Sequence, residues 1–283
     1  MTGFLADPAF KHALAAALLV SLGSAPLGVM LVLRRMTLMG DVMAHAILPG
    51  VAVGFMLSGL SISAMSVGGL VAGLTVALLA GLVTRVTALR EDASLAAFYL
   101  IAVALGVLLI ALHGNAQEME DILFGNAQSI DSDMLRLMGG VTSVTLLTLA
   151  VIYRPLVVES FDPVFMRSVR GRGGLYHVLF LMLVVLNMIE SYRAMGTLMS
   201  AGLMLIPAIT AQFWTRSLGP MMGLAAVIAF MGSVGGLWLG FGFSLPPGPV
   251  IVLIVGGFYI LSLLLGRHGS VRARYFPFRH LEA

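Results

Sequence analysis

The chain has 283 residues, of which 59% are hydrophobic and only 10% are charged, and its formal net charge is +3. Soluble domains carry about 25% charged residues, so this composition, with a mean hydropathy of +1.03, excludes a soluble domain and predicts an integral membrane protein. Cysteine is absent, which excludes disulfides and thiolate metal ligands. Residues 1–11 contain no basic n-region, so we expect no cleaved signal peptide and a first span that is retained.

Taken in chain order, the apolar runs predict an all-α polytopic bundle of about nine transmembrane helices, in one domain that covers residues 1–283. Each run is close to the ~20 residues that a bilayer requires. The sixth run is short and meets the seventh around residues 190–193, so a tight hairpin, an irregular break and a total of eight spans all stay open. The predicted spans are residues 12–33, 41–60, 63–84, 94–112, 135–153, 175–190, 195–213, 218–241 and 249–266.

The positions of the basic residues predict the orientation. If the loop after the first span faces the cytoplasm, thirteen arginines lie on that side, and only Lys11, Arg136 and Arg193 lie on the other. Cytoplasmic loops carry an excess of Lys and Arg. We therefore expect the N-terminus outside and the basic tail, residues 267–283, inside.

The second predicted span begins with an acid and an imidazole one helical turn apart. Asp41 and His45 are four residues apart, which places both on one face of a helix. Ionisable groups at membrane depth cost on the order of 2.5–3.5 kcal/mol each, so their presence calls for a function. A carboxylate oxygen with an imidazole nitrogen suits a divalent transition metal, and suits zinc well. We interpret the pair as candidate metal ligands.

Two ordinary structural roles compete with this interpretation. Asp41 follows Gly40 at the head of a hydrophobic run, which is a common place for an N-cap aspartate. His45 would be satisfied by a backbone carbonyl of a neighbouring helix. The roles of cap and ligand are compatible for Asp41, because a capping aspartate keeps a second oxygen.

Small residues four apart and prolines within spans predict close helix packing with local breaks. Pro49 and Pro207 lie inside predicted spans, where they imply kinks or breaks. The small-xxx-small pairs, which let helices approach closely, are Gly50 with Gly54, Gly69 with Gly73, and Gly236 with Gly240.

The two longest loops fall on opposite sides of the predicted membrane. Outer residues 113–134 are acidic, and we favour a solvated loop over one that concentrates cations. Inner residues 154–174 contain Asp162 followed by Pro163, an N-cap and N1 pair, with Gly171 about two turns later. This pattern predicts a short amphipathic helix at the membrane surface, either a lipid-headgroup anchor or a docking surface for a soluble partner.

The sequence contains no motif for ATP hydrolysis. Its only lysine is Lys11, which no glycine-rich loop precedes, so a Walker A site is excluded. HExxH, nucleophile-elbow and CxxC motifs are missing as well. We therefore do not expect an enzyme, and ATP-driven transport would need a second polypeptide.

Several short motifs follow one another along nearly the whole chain. The most specific are LRRM at 33–36, GD at 40–41, HA at 45–46 and LPGVA at 48–52. They are followed by EDA at 91–93, LFGN at 123–126, FDP at 161–163, LIPA at 205–208, TA at 210–211 and LPPGP at 245–249. On these motifs the sequence resembles the membrane permeases of the metal-ion ABC importers, which take up zinc, manganese or iron in bacteria.

The resemblance implies partners and roles for particular residues. It implies a bacterial inner-membrane protein that acts as two copies, with two cytoplasmic ATPases that bind the ATP and an extracytoplasmic metal-binding protein. No permanently bound cofactor and no nucleic acid are implied. Asp41 and His45 match the acid and histidine that line the metal path. The ATPase-coupling residues are Asp162, Pro163, Arg167 and Arg170, and the candidate pathway residues are Pro49, Glu190 and Pro207. Glu190 and Arg193 match no family pattern, so their role stays open.

Two copies of the second span about a two-fold axis would offer one Asp41 and one His45 each, an O₂N₂ tetrahedron with zinc–ligand distances of about 2.0–2.2 Å. Two carboxylates would also neutralise the charge of the ion. Zinc is therefore the first expectation, with manganese or ferrous iron as alternatives that fit the same atoms. The rival hypotheses are a proton-coupled secondary transporter with Glu190 as a relay and, ranked last, an intramembrane metalloenzyme.

Overall fold

The computed structural model describes residues 7–59, 61–87, 91–113, 130–162, 165–166, 173–243 and 245–275, and every regular element in these ranges is a helix. Six helices are long and apolar enough to cross a bilayer, and three shorter apolar helices accompany them at Val42–Ser58, Ala93–Leu109 and Met199–Gln212. This confirms the predicted all-α bundle. The helices are α1 (Pro8–Leu33), α2 (Thr37–Ala46), α3 (Leu48–Ser58), α4 (Ile62–Val86), α5 (Glu91–His113), α6 (Ser132–Phe161), α7 (Gly173–Met195), α8 (Thr197–Gln212), α9 (Leu218–Phe243), α10 (Pro247–Leu265) and α11 (Val271–Tyr275).

Helix α1 lies at the centre of the bundle and packs against α2, α6, α7, α8 and α9. It begins where the Asp7 carboxylate accepts a hydrogen bond from the Ala9 N–H at 2.9 Å, with Pro8 in the first turn. Its side chains join two core clusters, one shared with α2 to α8 and one shared mainly with α8, α9 and α10. The small side chains of α1 make this possible, because a Cβ added at Gly28 would collide with the Met204 carbonyl of α8.

The second predicted span consists of two helices and not one. Helix α2 begins at Thr37, four residues earlier than predicted, and ends at Ala46, and α3 starts at Leu48 after a turn at Ile47. The Ile47 carbonyl accepts the Val51 N–H at 3.0 Å and so starts the new helix. Pro49 occupies the first turn of α3, where its missing N–H costs no helical hydrogen bond. The break expected near Pro49 is confirmed, whereas α8 continues past Pro207.

The junction of the sixth and seventh predicted spans lies at Gly196. Residues 190–193 are helical and belong to α7, so an irregular break at that position is wrong. Gly196 has φ 85° and ψ 168°, and α8 begins with the next residue. That region of backbone space is essentially restricted to glycine. The two apolar runs are therefore separate helices, which favours nine apolar segments over eight.

Helix α6 is longer than its predicted span. It has 30 residues and continues past Pro155 to Phe161, so the first residues of the predicted inner loop, 154–174, are helical. Its first turn is capped by the Asp131 carboxylate, which accepts the Met134 N–H at 2.8 Å. Residues 114–129 of the acidic outer loop and 276–283 of the basic tail lie outside the described residues.

The predicted close packing of Gly50 and Gly54 is confirmed between α3 and α4. A Cβ added at Gly50 would collide with the Gly68 carbonyl, and one added at Gly54 would approach the Ala64 carbonyl. The backbones of α3 and α4 are therefore in direct contact. This contact lies close to the end of α2, because α3 directly follows α2 in the chain.

Candidate functional site

Helix α2 is enclosed by its neighbours. It packs against α1, α4, α5, α7 and α8. Its apolar side chains fill the core around it, and the buried ones are Met39, Val42, Met43, Ala44 and Ala46. Helix α2 is therefore largely shielded from bulk water by the helices around it.

Asp41 and His45 both belong to this helix. The helix begins at Thr37 with Met36 as N-cap and no capping side chain, so Asp41 is an interior residue. The N-cap interpretation of Asp41 is therefore wrong. The two residues are one turn apart in an uninterrupted helix, as the spacing predicted. The side chain of Asp41 itself lies outside the described part of the structure.

The His45 ring is held against an aromatic partner on α5. Its centroid lies 5.7 Å from that of Tyr99, with an interplanar angle of 84°, an edge-to-face contact. The side chain is half-buried, although its neighbours Ala44 and Ala46 are fully buried. The sequence analysis missed Tyr99, because Tyr99 is more than 50 residues from His45 in the chain and belongs to no polar pattern.

One copy of the chain provides few metal ligands. In the ranges that the structure describes, no group of three or more His, Asp or Glu residues comes together. Divalent transition metals bind four or more ligands. If α2 holds a metal ion, the remaining ligands come from outside the described residues of one copy or from water.

Glu190 belongs to a buried polar cluster between α1, α6 and α7. Its Oε1 accepts a hydrogen bond from the Thr142 hydroxyl at 3.4 Å, and the same hydroxyl lies 3.2 Å from the Leu19 carbonyl. Nearby, the Asn187 amide donates to Thr145 at 2.7 Å. The Oε2 atom of Glu190 has no hydrogen-bond partner among the described residues. The structure thus places Glu190 against α6, and sequence analysis missed its threonine and asparagine neighbours.

The predicted coupling segment begins as a capped turn. The Asp162 carboxylate accepts the Phe165 N–H at 2.8 Å, which is the bond expected of an N-cap residue. Phe161 is 67% exposed and Phe165 is 53% exposed, so two aromatic side chains flank the cap on the surface. Pro163, Arg167 and Arg170 lie outside the described residues.

Comparison with known proteins identifies the family of the chain. Residues 6–266 match the model of the ABC 3 transport family. The manganese import system permease protein ScaB of Streptococcus parasanguinis is 31% identical over 255 residues, which are 90% of this chain and 90% of that protein. The manganese transport system membrane protein MntC of Halalkalibacterium halodurans is 28% identical over 267 residues, 94% of this chain and 90% of its own.

Solved structures agree with the fold. The PsaBC structure from Streptococcus pneumoniae, in complex with Fab, superposes with a TM-score of 0.87 at 27% identity, over 96% of this chain and 97% of that one. An inward-facing metal-chelate type ABC transporter has a TM-score of 0.72 at 14% identity and covers 89% of this chain and 85% of its own, which shows a shared fold.

Proposed function

The chain belongs to the ABC 3 transport family, and from that membership we propose that it forms the translocation path of an ATP-driven manganese importer. It is a multi-pass membrane permease of a metal ABC importer, and it is not itself the catalytic subunit. Relatives named for manganese import support manganese over the zinc that donor chemistry alone put first. Manganese was among the expected alternatives, and carboxylate oxygens suit it.

The main observation in support of a metal path through this chain is the position of Asp41 in the interior of α2. A carboxylate in a helix interior satisfies no helix end, and α2 is packed on five sides by other helices. Ionisable residues within membrane-embedded helices are costly and mark ion pathways by default, so an acidic residue at this position of α2 supports a path for a cation. His45, one turn later, adds a nitrogen ligand.

The small number of ligands on one α2 supports a two-fold assembly. Two copies would supply two carboxylates and two imidazoles, which neutralise a divalent ion and leave coordination positions for water. Incomplete protein coordination keeps the ion exchangeable, as transport requires. We therefore propose a homodimer with the metal between the two α2 helices.

Energy would come from a separate ATPase subunit. The chain has no Walker A site, and the exposed cap at Asp162 with its flanking phenylalanines offers a docking surface. The excess of arginine at this end supports its placement in the cytoplasm. An extracytoplasmic metal-binding protein would deliver the ion at the opposite end.

Reconstitution tests this proposal directly. The permease, its ATPase and its binding protein are placed in vesicles, and uptake of manganese is measured with ATP and with a non-hydrolysable analogue. We expect uptake that needs ATP hydrolysis and is outcompeted by excess unlabelled manganese more readily than by zinc. Asp41→Asn should lower uptake at least about tenfold, the order of effect seen when a metal site is damaged.

The matched control is Asp131→Asn, since asparagine caps a helix as well as aspartate does and Asp131 is an exposed N-cap. Control and parent should transport equally. Uptake that continues without hydrolysis and follows a pH gradient would contradict the proposal and favour the proton-coupled alternative with Glu190 as relay.

A further inference from the structure

Arg34, at the end of α1, contacts side chains of both α6 and α7. Its Nε donates to Ser160 Oγ at 2.8 Å, its Nη2 to Glu159 Oε2 at 3.3 Å, and its Nη1 to His177 Nδ1 at 2.9 Å. The guanidinium carbon lies 4.9 Å from the centre of the Phe180 ring. The Arg34 side chain is only 6% exposed. We refer to Arg34, Glu159, Ser160 and His177 as the Arg34 cluster.

Each partner in the Arg34 cluster has a defined role. A guanidinium only donates, so His177 accepts at Nδ1 and carries its own proton on Nε2. Ser160 accepts from Arg34 and donates its hydroxyl proton to the Leu156 carbonyl at 2.6 Å. The planar fork of arginine therefore fixes three groups in one arrangement, which a lysine could not reproduce.

The partners of Arg34 flank the predicted ATPase-docking segment on both sides. Glu159 and Ser160 lie in the last turn of α6, directly before Phe161, and His177 lies in the first turns of α7. The chain between these helices contains Asp162 and the residues predicted to contact the ATPase. One buried side chain thus bonds to both ends of that segment.

Toward the C-terminus, a hydrogen-bonded turn joins Arg34 to α2, the helix that contains Asp41 and His45. The Arg35 N–H bonds to the Val32 carbonyl at 3.1 Å and the Met36 N–H to the Leu31 carbonyl at 2.9 Å, the paired bonds of a Schellman motif. Arg35 has φ 58°, and no other residue except glycine has a positive φ in the described ranges. Helix α2 then begins at Thr37. Only two residues separate Arg34 from the helix of Asp41 and His45.

We propose that the Arg34 cluster transmits movement of the ATPase-docking segment to α2, and so couples ATP hydrolysis to the opening of the metal site. The inference rests on the proposed function. If α6 and α7 moved without α1, the buried Arg34 guanidinium and the partly buried Glu159 carboxylate would lose each other as partners, which is unfavourable. The end of α6, the start of α7 and the α1–α2 turn therefore move as one body. Arg34 is a positioning residue, since it does not touch the metal.

The test compares Arg34→Gln with Arg35→Gln. The control removes the same charge one residue away, from an exposed side chain. Both variants are assembled with the ATPase and binding protein in vesicles, and ATP hydrolysis and manganese uptake are measured together. We expect Arg34→Gln to keep hydrolysis while the ions moved per ATP fall at least about fivefold, the low end of measured coupling between sites. Arg35→Gln should keep the parental ratio.

A second pair of variants separates coupling from folding. Ser160→Ala removes one of the three bonds and should lower the ions moved per ATP, less than Arg34→Gln does. Adding Glu159→Gln to Arg34→Gln should cause little further loss, because residues that act through one contact are not additive. If Arg34→Gln fails to assemble with the ATPase, the ions moved per ATP in Ser160→Ala alone test the proposal.

Three results would overturn the proposal. The first is an unchanged uptake-to-hydrolysis ratio in Arg34→Gln, or in Ser160→Ala where Arg34→Gln does not assemble. The second is the same loss in Arg35→Gln, and the third is a substantial further loss in the double variant beyond that of Arg34→Gln. If the parent complex itself shows no ATP-driven uptake, the proposed function fails, and the role of the Arg34 cluster fails with it.

Discussion

Asp41 and His45 are polar residues on a helix whose buried side chains belong to methionine, alanine and valine. Such a helix packs well without them, so their presence reflects a requirement other than stability. The edge-to-face contact with Tyr99 restricts the rotation of the His45 ring, which keeps its nitrogens in a defined direction. At the scale of single residues, the site therefore combines a fixed imidazole with an acid that caps no helix end.

Glu190 provides a second test at this scale. Glu190→Gln keeps the size of the side chain and its hydrogen bond with Thr142, so we expect stability and uptake close to the parent. Glu190→Ala leaves a cavity and removes an acceptor from a buried hydroxyl, which should lower the free energy of unfolding by roughly 1–3 kcal/mol. Thermal unfolding in detergent and vesicle uptake measure the two effects. Loss of uptake in Glu190→Gln at unchanged stability would instead support a proton relay.

Gly196 is a third residue whose role can be measured. Alanine at φ 85° and ψ 168° is strained, so Gly196→Ala should cost about 1–3 kcal/mol and disturb the α7–α8 junction. The control is Gly256→Ala in α10, where an added Cβ meets no atom within 4 Å and helix propensity improves. We expect the melting temperature to fall for Gly196→Ala and to stay the same or rise slightly for Gly256→Ala. Equal melting temperatures would show that the junction tolerates a side chain.

At the scale of helices, hydrophobic length was a reliable guide, because a bilayer imposes about 20 apolar residues on each span. The interruption within residues 41–60 was only partly predictable. Pro49 indicated a break, but no residue pattern indicated that α2 would begin at Thr37, and this start is what shows that Asp41 is not an N-cap. The extension of α6 past Pro155 was also missed, since proline usually ends a helix.

The Arg34 cluster could not be found from sequence at all. Its partners lie more than 120 residues away along the chain, and the sequence analysis used Arg34 only as an orienting charge and as part of the LRRM motif. Contacts of this kind depend on how helices pack, which hydropathy and spacing do not encode. The shared helix of Asp41 and His45 and the cap at Asp162 were predictable because those features are local, and the metal role of the pair stays a prediction.

The two ends of α6 allow a matched test of the docking surface. Asp131 and Asp162 are both caps that accept a backbone N–H at 2.8 Å, one at the start of the helix and one just after its end. Replacing either with alanine should cost about 0.5–2 kcal/mol of local helix stability. Only Asp162→Ala should weaken binding of the ATPase, measured by co-purification, and lower the ions moved per ATP. Equal behaviour of the two variants would move the docking surface elsewhere.

For the molecule as a whole, we propose one path that links the ATPase to the metal. In this path a separate ATPase acts on the segment after α6, the Arg34 cluster carries the movement to the α1–α2 turn, and α2 presents Asp41 and His45 to the ion. Because the described residues of one copy bring no three His, Asp or Glu side chains together, we propose that the path is completed where two copies meet. The central claim is therefore that a single metal ion is shared by two α2 helices.

Equilibrium binding of manganese to the purified permease tests that claim most directly. The free ion is followed by its electron paramagnetic resonance signal during titration of parent, Asp41→Asn, His45→Ala and the control Asp131→Asn. We predict one ion for every two chains in the parent and the control, and loss of that site in both α2 variants. One ion per chain, or undiminished binding in Asp41→Asn and His45→Ala, would contradict it.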